Sequence, residues 1–314
     1  MGDLAFLARV PLFPPTILSI MSTPIDASPT SMPGNSPVVA PTLLPSLPAE
    51  SPPIRHTRSV VWGVPFDHVT LDEAVDSIEG LVTHGQPAYV ITANLNYAML
   101  NHRRDEMKPI TREADLILAD GQPIVWRSRL NDEPLPERVA GSEMIYRLAQ
   151  RAGEKGWGIY FLGGAPGVAA TCAERLSTMY PGLRIAGVES PPFRKLSDEE
   201  QAAQDARIKE SGAAILLVAF GQPKGEQWIH ENYRRLGVPV SIQLGASFDF
   251  IAGTAKRAPE AWQRFGMEWA YRMLSDPKRL VPRYAANASF LFSAIIEDWK
   301  QTVIRWGMWT PSTK

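Results

Sequence analysis

The sequence has little cysteine and histidine, and this scarcity limits the sites that it can build. Cys172 is the only cysteine among 314 residues, so an internal disulfide is excluded and a reducing compartment is favoured. Cys172 lies within a helical pattern, and we therefore interpret it as a small core residue rather than a nucleophile. The five histidines are scattered without the spacing of metal ligands, so no zinc site is predicted.

A strong net charge and a long apolar run are also absent. The formal net charge is −1, so a nucleic-acid partner is not expected. An apolar stretch near the N-terminus lacks a basic start and is interrupted by Pro11, Pro14 and Pro15, which argues against an export signal. The longest uncharged run in the C-terminal region is too short to span a bilayer.

Three segments of different composition divide the chain. Residues 1–58 contain twelve of the 28 prolines, and because proline lacks an amide proton we expect a disordered tail. Residues 59–254 alternate between strand and helix patterns and are predicted to form an α/β domain. Residues 255–314 combine basic residues with an amphipathic pattern and are predicted to form a helical C-terminal appendage.

The middle segment predicts the fold class. Buried apolar runs alternate with helices, two of which begin with capping boxes at Thr70 and Ser197. This order predicts a Rossmann-like, mostly parallel sheet with helices on both faces. Right-handed crossovers gather the carboxyl ends of parallel strands on one rim. The residues expected on that rim are Thr92, Asn94, Asp120, Gly163, Gln222 and Asp249.

A lone carboxylate ends the apolar stretch 116–119. Asp120 is followed by Gly121 and Pro123, which predict a turn into a helix. A carboxylate held at the carboxyl end of a strand can act as a general base. The same pattern is typical of an N-cap, and on this stretch alone the cap is the stronger interpretation.

Four other places in the sequence favour ligand contacts, and three of them have a structural alternative, which for the polar turn at Gln222 is a simple connecting turn. Asn94 can hold a phosphate or sugar at a helix start, or simply cap that helix. Arg138 can bind a diphosphate, or lie in solvent. The glycine loop that begins with Gly163 and Gly164 can approach a nucleotide closely, but it matches neither the dinucleotide spacing nor the lysine-bearing phosphate loop. Gln222 belongs to a dense polar turn that we interpret as a ligand contact.

Five ordered blocks carry a resemblance to a known family. The blocks are ITANLNY, ADGQPIVWRSRL with ERVAGSEM, IYFLGGAPG, VAFGQPKGEQW and GASFDFIAG. Over about residues 60–284 they resemble the WecG/TagA/CpsF family of bacterial glycosyltransferases. The resemblance implies an inverting enzyme that transfers a hexose or N-acetylhexosamine from a UDP-sugar to a polyprenyl-diphosphate-linked sugar. It also implies a role in surface or extracellular polysaccharide synthesis, at the cytoplasmic face of the membrane.

The same resemblance implies roles for the matched positions. Asp120 would be the general base, and Thr92 and Asn94 would lie at the donor diphosphate and sugar. The further positions implied around the donor are Arg138, Gln222 and Asp249. The C-terminal basic residues that would meet the acceptor or the diphosphates are Arg272, Arg279 and Arg283. The fourth block departs from its familiar form, PKQE, because Gly225 stands in place of the glutamine.

The sequence contains no Asp-x-Asp triplet, which holds the metal ion in many glycosyltransferases. Helix N-termini and arginines would then compensate the charge of the departing UDP. We therefore predict a metal-independent enzyme without a cofactor.

The C-terminal segment combines positive charge with an apolar stripe. Residues 256–283 contain seven basic and three acidic residues, and a helix with one apolar face is predicted beyond Pro282. This combination favours a peripheral position on an anionic membrane surface. The alternative is that the helix packs on the domain, or on a second subunit of a homo-oligomer. The apolar positions are Ala288, Leu291, Phe292, Ile295, Trp299, Val303 and Trp306.

Two other functions are compatible with parts of the sequence. A nucleotide-dependent oxidoreductase also has an α/β fold, but a G-x-G-x-x-G motif after the first strand is missing here. A membrane-recruited scaffold without enzymatic activity would use the proline-rich tail as a partner ligand. UDP binding would separate the glycosyltransferase from both alternatives.

Overall fold

Six parallel strands form the central sheet. In the computed structural model the described residues are 55–255, 259, 262, 268–275 and 277–305, so residues 1–54 of the predicted tail lie outside them. The strands are β3 (Ala88–Ala93), β4 (Leu116–Ala119), β5 (Gly158–Gly163), β6 (Arg184–Glu189), β7 (Ile215–Ala219) and β8 (Val240–Gln243). Their order is β4-β3-β8-β7-β5-β6, and each neighbouring pair is parallel. The predicted sheet is confirmed.

A short antiparallel hairpin precedes this sheet and covers the edge strand β4. Its strands are β1 (Arg58–Val61) and β2 (Val64–Asp67), so β1 begins at the last residue of the predicted tail. The Asp67 carboxylate accepts hydrogen bonds from Arg58 Nε at 2.9 Å and from the Ile117 N–H at 2.7 Å. These bonds join the hairpin to the sheet and protect an otherwise open strand edge.

Helices cover both faces of the sheet, as the alternating pattern predicted. They are α1 (Leu71–His84), α2 (Leu95–Arg103), α3 (Met107–Glu113), α4 (Gln122–Ser128), α5 (Gly141–Lys155), α6 (Val168–Met179), α7 (Asp198–Glu210), α8 (Lys224–Leu236), α9 (Ser247–Ala252), α10 (Glu268–Ser275) and α11 (Pro277–Arg305). Both predicted capping boxes form, Thr70 with Glu73 at α1 and Ser197 with Glu200 at α7. Local sequence therefore determines these two helix starts.

Alternate side chains of each strand enter two hydrophobic cores. In β3, Val90 lies in the core covered by α1, α5, α6 and α9, whereas Ile91 lies in the core covered by the hairpin, α2, α3, α4, α7 and α8. Because both faces of the sheet are covered at its centre, the central strand β7, ILLVA, is apolar along its whole length.

The topology predicts a ligand crevice between the carboxyl ends of β3 and β8. The helices that follow these neighbouring strands leave on opposite faces, since Tyr97 of α2 lies in one core and Phe248 of α9 lies in the other. In open α/β sheets such a divergence is the usual place for a ligand. The topology therefore directs attention to the residues that end β3 and β8.

The C-terminal helix α11 begins earlier than predicted. The sequence predicted a helix only beyond Pro282, but α11 begins at Pro277 and contains Pro282. Proline is well suited to the first helical position, where its missing N–H would have no partner. Pro282 removes one hydrogen bond of the helix interior without ending the helix.

One face of α11 packs on the α/β domain. The Phe290 ring is buried, with its centroid 5.9 Å from the Trp62 ring and 5.5 Å from the His102 ring. The Asp298 carboxylate accepts hydrogen bonds from Arg127 Nε at 2.6 Å, from Arg127 Nη2 at 2.7 Å and from Trp62 Nε1 at 3.1 Å. For this face of α11, the structure therefore agrees with the predicted alternative that the helix packs on the domain.

A second face of α11 carries the predicted apolar stripe and is exposed. Phe292, Ile295 and Trp299 are 69%, 54% and 67% exposed. Trp306 and the end of the stripe lie outside the described residues. No helix in the described part of the chain is both long enough and apolar enough to cross a membrane.

Candidate active site

Asn94 and Asp120 lie side by side at the carboxyl ends of β3 and β4. The parallel register pairs Ala93 with Ala119, and the Asp120 N–H donates to the Ala93 carbonyl oxygen at 2.9 Å. Asp120 is half-buried. The sheet thus brings together two predicted site residues that are 26 positions apart in the sequence.

The N-cap interpretation of Asp120 is wrong. The N-cap position of α4 is held by Gly121. Asp120 therefore lies between the end of the strand and the cap, which is where a general base is expected.

Asn94 is itself the N-cap of α2, as its structural alternative proposed. Its Oδ1 accepts the Tyr97 N–H at 3.2 Å. This cap uses the carbonyl oxygen alone, and the Nδ2 amino group plays no part in it. The cap and a ligand contact are therefore compatible.

The loop before α5 brings Arg138 to the same rim. The Val139 N–H donates to the Ala119 carbonyl oxygen at 2.9 Å, which ties this loop to the end of β4. The Arg138 side chain is 21% exposed, and its Nη2 donates to Glu143 Oε1 at 3.0 Å. Arg138 is thus a half-buried, ion-paired cation rather than a solvated surface residue.

Thr92 is buried near the carboxyl end of β3, next to β8. Its hydroxyl donates to the Gln243 carbonyl oxygen at 2.9 Å. Because this bond uses the hydroxyl proton, Thr92 can offer a ligand only the lone pairs of its oxygen.

Gln222 is the centre of a polar cluster at the rim. Its Oε1 accepts hydrogen bonds from Asn96 Nδ2 at 3.0 Å and from Arg283 Nη2 at 3.3 Å. The three residues come from the turn after β7, from α2 and from α11. One of the three predicted C-terminal cations therefore lies at the rim, whereas the side chains of Arg272 and Arg279 lie outside the described part of the structure.

A buried carboxyl group lies next to this cluster. Glu226, in the first turn of α8, is 1% exposed, and neither of its oxygens has a hydrogen-bond partner among the described residues. Burial raises the pKa of Glu226 to about 7, and the nearby Gln222 amide and Arg283 guanidinium offset only part of that effect. Near neutral pH this group is therefore both protonated and ionised in appreciable amounts.

The glycine loop after β5 is required by close backbone packing. Gly163 and Gly164 have φ values of 109° and 75°, and a Cβ on Gly163 would lie 2.8 Å from the Ala219 carbonyl oxygen. The Gly164 N–H donates to that same oxygen at 3.0 Å. This N–H is therefore engaged with β7, and the predicted donor contact of the loop would have to use other atoms.

Asp249 lies in the first turn of α9, which follows β8. Its Oδ1 accepts a hydrogen bond from Thr254 Oγ1 at 3.1 Å. Its described contacts do not connect it to Asp120 or to Gln222, so its predicted place around the donor stays a prediction. Within the described ranges, no group of three or more His, Cys, Asp or Glu side chains could hold a metal ion.

Three further residues lie on this rim. Asn96 and Glu226 belong to the polar stretches after β3 and β7 in which the sequence predicts ligand contacts, whereas Gln243 was not predicted. Asn96 and Glu226 lie within two of the resemblance blocks, and Gln243 ends β8, whose sequence is VSIQ. A polar residue that closes a buried strand is a sequence feature that could have identified Gln243. The contacts of Asn96 and Glu226 depend on helices distant in the sequence.

Comparison with known proteins identifies the family. Residues 59–303 match the model of the glycosyl transferase WecG/TagA/CpsF family. An N-acetylglucosaminyldiphosphoundecaprenol N-acetyl-beta-D-mannosaminyltransferase of Bacillus spizizenii is 33% identical over 202 residues, which are 63% of this chain and 77% of that protein. The family match covers most of the chain and agrees with the resemblance of the five sequence blocks. The chain therefore belongs to the WecG/TagA/CpsF family of glycosyltransferases.

Proposed function

We propose that this glycosyltransferase moves a hexose or N-acetylhexosamine from a UDP-sugar to a polyprenyl-diphosphate-linked sugar, with inversion at the anomeric carbon. The observation that carries the proposal is that Asn94 and Asp120 directly follow the paired residues Ala93 and Ala119 at the carboxyl ends of β3 and β4, beside the loop of Arg138. A carboxylate, an amide and a guanidinium gathered on one rim are the groups that such a transfer needs.

In the proposed mechanism Asp120 takes the proton from the acceptor hydroxyl. The oxygen then attacks the anomeric carbon from the face opposite the nucleotide, and the bond between this carbon and the UDP oxygen breaks. A carboxylate whose backbone is bonded to β3 can be held in one position for this step. Attack from the opposite face produces the inverted product.

Charge on the departing UDP would be balanced by the protein. Arg138 and Arg283 are both half-buried near the rim, where partial removal from water strengthens their attraction to a diphosphate. This supports the prediction that catalysis needs no metal ion. Gln222 would orient Arg283 through their hydrogen bond.

The choice of acceptor follows the named activity of the Bacillus relative. That protein is described as transferring N-acetyl-beta-D-mannosamine to N-acetylglucosaminyldiphosphoundecaprenol. A lipid-linked acceptor sugar of this kind is our first candidate for this chain. A β-linked product from an α-linked UDP-sugar would also agree with inversion.

A lipid-linked acceptor requires that the enzyme reach the membrane surface. The exposed stripe of Phe292, Ile295 and Trp299 on α11 is suited to insertion among lipid headgroups. We place the enzyme on the cytoplasmic face of the membrane, as a peripheral protein in polysaccharide synthesis. A second copy of the chain is the alternative occupant of the same stripe.

Family membership sets aside the two competing functions. An oxidoreductase and a non-enzymatic scaffold were each compatible with part of the sequence, but the family consists of glycosyltransferases. The remaining choices concern the donor sugar and the acceptor sugar.

The proposal is tested by binding and turnover of the full-length protein. Titration calorimetry should detect UDP binding, and a screen of UDP-sugars against a short-chain polyprenyl-diphosphate N-acetylglucosamine should yield a disaccharide product. Nuclear magnetic resonance of the product then determines the anomeric configuration. No binding of UDP, or a retained configuration, would contradict the proposal.

A further inference from the structure

Gln243 has a buried side chain with an unused hydrogen-bond donor. Its side chain lies at the end of β8 and is 2% exposed. Its Oε1 accepts the Gly245 N–H at 3.1 Å, which identifies the other terminal atom as the Nε2 amino group. Among the described residues no atom accepts a hydrogen bond from Nε2. A buried donor without an acceptor is unfavourable, and it points to a group that binds there.

The carboxamide of Gln243 occupies the space in front of Gly225. A Cβ on Gly225 would lie 2.6 Å from Gln243 Cδ and 2.8 Å from Gln243 Nε2, so any side chain at position 225 would displace the Gln243 carboxamide from its place. Gly225 lies in the first turn of α8 and is not among the glycines with positive φ. The backbone therefore does not require glycine at position 225, but the Gln243 side chain does.

This arrangement gives a physical reason for the departure in the fourth sequence block. The family resemblance implies a glutamine at the position where this chain has Gly225. In this chain a carboxamide reaches the same place from β8 instead of α8. Gly225 and Gln243 are thus a matched pair, because the missing side chain of the glycine leaves the space that the glutamine carboxamide fills.

The surroundings of Gln243 favour an anionic oxygen as the missing acceptor. Its own backbone carbonyl accepts the Thr92 hydroxyl, which places it at the predicted crevice between β3 and β8. The first turn of α8 lies against its side chain, as the Gly225 contact shows. The N-terminal turn of a helix carries partial positive charge and favours anions such as a diphosphate.

We propose that Gln243 Nε2 donates a hydrogen bond to a diphosphate oxygen of the bound nucleotide sugar. This inference rests on the proposed function, because it assumes a UDP-sugar donor, and it adds a binding residue to that site. The role of Gly225 is to leave the volume that the Gln243 carboxamide needs.

A swap of the two side chains tests the inference. Calorimetry would measure UDP and UDP-sugar affinity for the wild type, Gln243→Ala, Gly225→Gln and the double variant, all as full-length chains. Gln243→Ala should weaken both ligands about tenfold or more, because a hydrogen bond to a charged group is lost. Gly225→Gln alone should also weaken binding because of the clash. The double variant should recover most of the affinity, since its carboxamide enters the vacated space from α8.

Ser241→Ala is the matched control. Ser241 is also buried on β8 with an unpartnered hydroxyl, but it lies two residues before the end of the strand. Its removal should leave UDP affinity unchanged. If circular dichroism shows that Gln243→Ala does not fold, Gln243→Met keeps the volume without the N–H and should show the same loss.

The possible failures are distinguishable. Wild-type affinity in Gln243→Ala, or a double variant no better than Gln243→Ala, would overturn the inference while the proposed function stands. Loss of UDP-sugar affinity with unchanged UDP affinity would overturn the assignment to the diphosphate. A wild-type chain that binds no UDP would overturn both proposals.

Discussion

Arg283 donates a hydrogen bond from Nη2 to Oε1 of Gln222, and this 3.3 Å contact joins the C-terminal helix to the turn after β7. The two residues are 61 positions apart in the sequence. The same oxygen also accepts a hydrogen bond from Asn96 Nδ2, so Gln222 is bonded to both α2 and α11. The C-terminal helix therefore contributes a side chain to the candidate site.

Replacing Arg283 should impair catalysis more than folding. Arg283→Met keeps much of the side-chain length but removes the cation and its hydrogen bond, so turnover should fall by about tenfold or more. Steady-state assays would measure this loss. Lys278→Met removes an exposed cation of the same helix and should change turnover little. Equal effects of the two substitutions would contradict a specific role for Arg283.

Asp120→Asn tests the proposed general base. The substitution keeps the size of the side chain but removes its capacity to take a proton, so turnover should fall by roughly 100-fold or more. UDP affinity, measured by calorimetry, should persist. Asp132→Asn changes an exposed carboxylate after α4 and serves as the control. Turnover near the wild-type value in Asp120→Asn would remove Asp120 from the mechanism.

Glu226 should make stability depend on pH. Burial raises its pKa from 4.5 to about 7 in the folded protein, so between these values the folded state holds a proton that the unfolded state has lost. The contribution of Glu226 to stability is therefore fully present below pH 4.5 and declines as pH rises through 7. The total decline is about 3 kcal/mol.

Urea unfolding of the wild type and Glu226→Gln between pH 4.5 and 8 measures this contribution. As pH rises, the unfolding free energy of the wild type should fall relative to that of Glu226→Gln, because only the wild type loses the contribution of protonated Glu226. Glu133→Gln, an exposed control, should follow the wild type. A constant difference between Glu226→Gln and the wild type would show that Glu226 does not titrate in this range.

The exposed stripe of α11 should bind anionic lipid. A variant with Phe292→Ser and Trp299→Ser loses two side chains that are 69% and 67% exposed, so it should fold normally and co-sediment less with anionic liposomes. Phe193→Ser removes an 87% exposed ring elsewhere and should leave sedimentation unchanged. Higher salt should weaken wild-type binding through screening of the basic residues.

Truncation would be a poorer test of the same idea. Removing α11 would take away Phe290 and uncover the apolar surface around Trp62 that it covers, which would cause aggregation for reasons unrelated to lipid. A wild-type protein that stays in the supernatant at low and high salt would exclude the membrane proposal. Light scattering would then show whether a second copy covers the stripe.

Chelation should leave activity intact. The sequence has no Asp-x-Asp triplet, and the proposed charge balance relies on Arg138 and Arg283. Turnover in excess EDTA should therefore equal turnover without it. Loss of activity that Mg²⁺ or Mn²⁺ restores would show that the charge of the departing UDP is balanced by a metal ion instead.

Much of the fold could be predicted because it depends on local pattern. Apolar runs such as ILLVA read as buried strands, and both capping boxes formed where the sequence indicated. The order of strands and helices was enough to predict the parallel sheet and the rim on which the carboxyl ends of its strands lie. Local pattern was misleading at two places. The motif around Asp120 allowed both an N-cap and a general base, and Pro282 led to the prediction of a helix that begins later than α11 does.

The candidate site could be predicted only in part, because its contacts join distant segments. The position of Asp120 after a strand follows from the sequence around it, but its neighbour Asn94 depends on the register of β3 with β4. Arg138 joins them through one backbone bond from Val139 to Ala119. A local sequence pattern cannot predict these contacts, because each of them joins segments that are distant in the sequence.

By itself the sequence determined the six strands of the parallel sheet, the two helix starts with capping boxes, the family and the placing of Asp120 at a strand end. These features follow from side-chain periodicity and from hydrogen bonds within a few residues. Tertiary structure alone decided that Arg283 meets Gln222, that Glu226 is buried, and that the Gln243 carboxamide lies in front of Gly225. The physical reason is that burial and close approach are set by elements that pack together from distant parts of the chain.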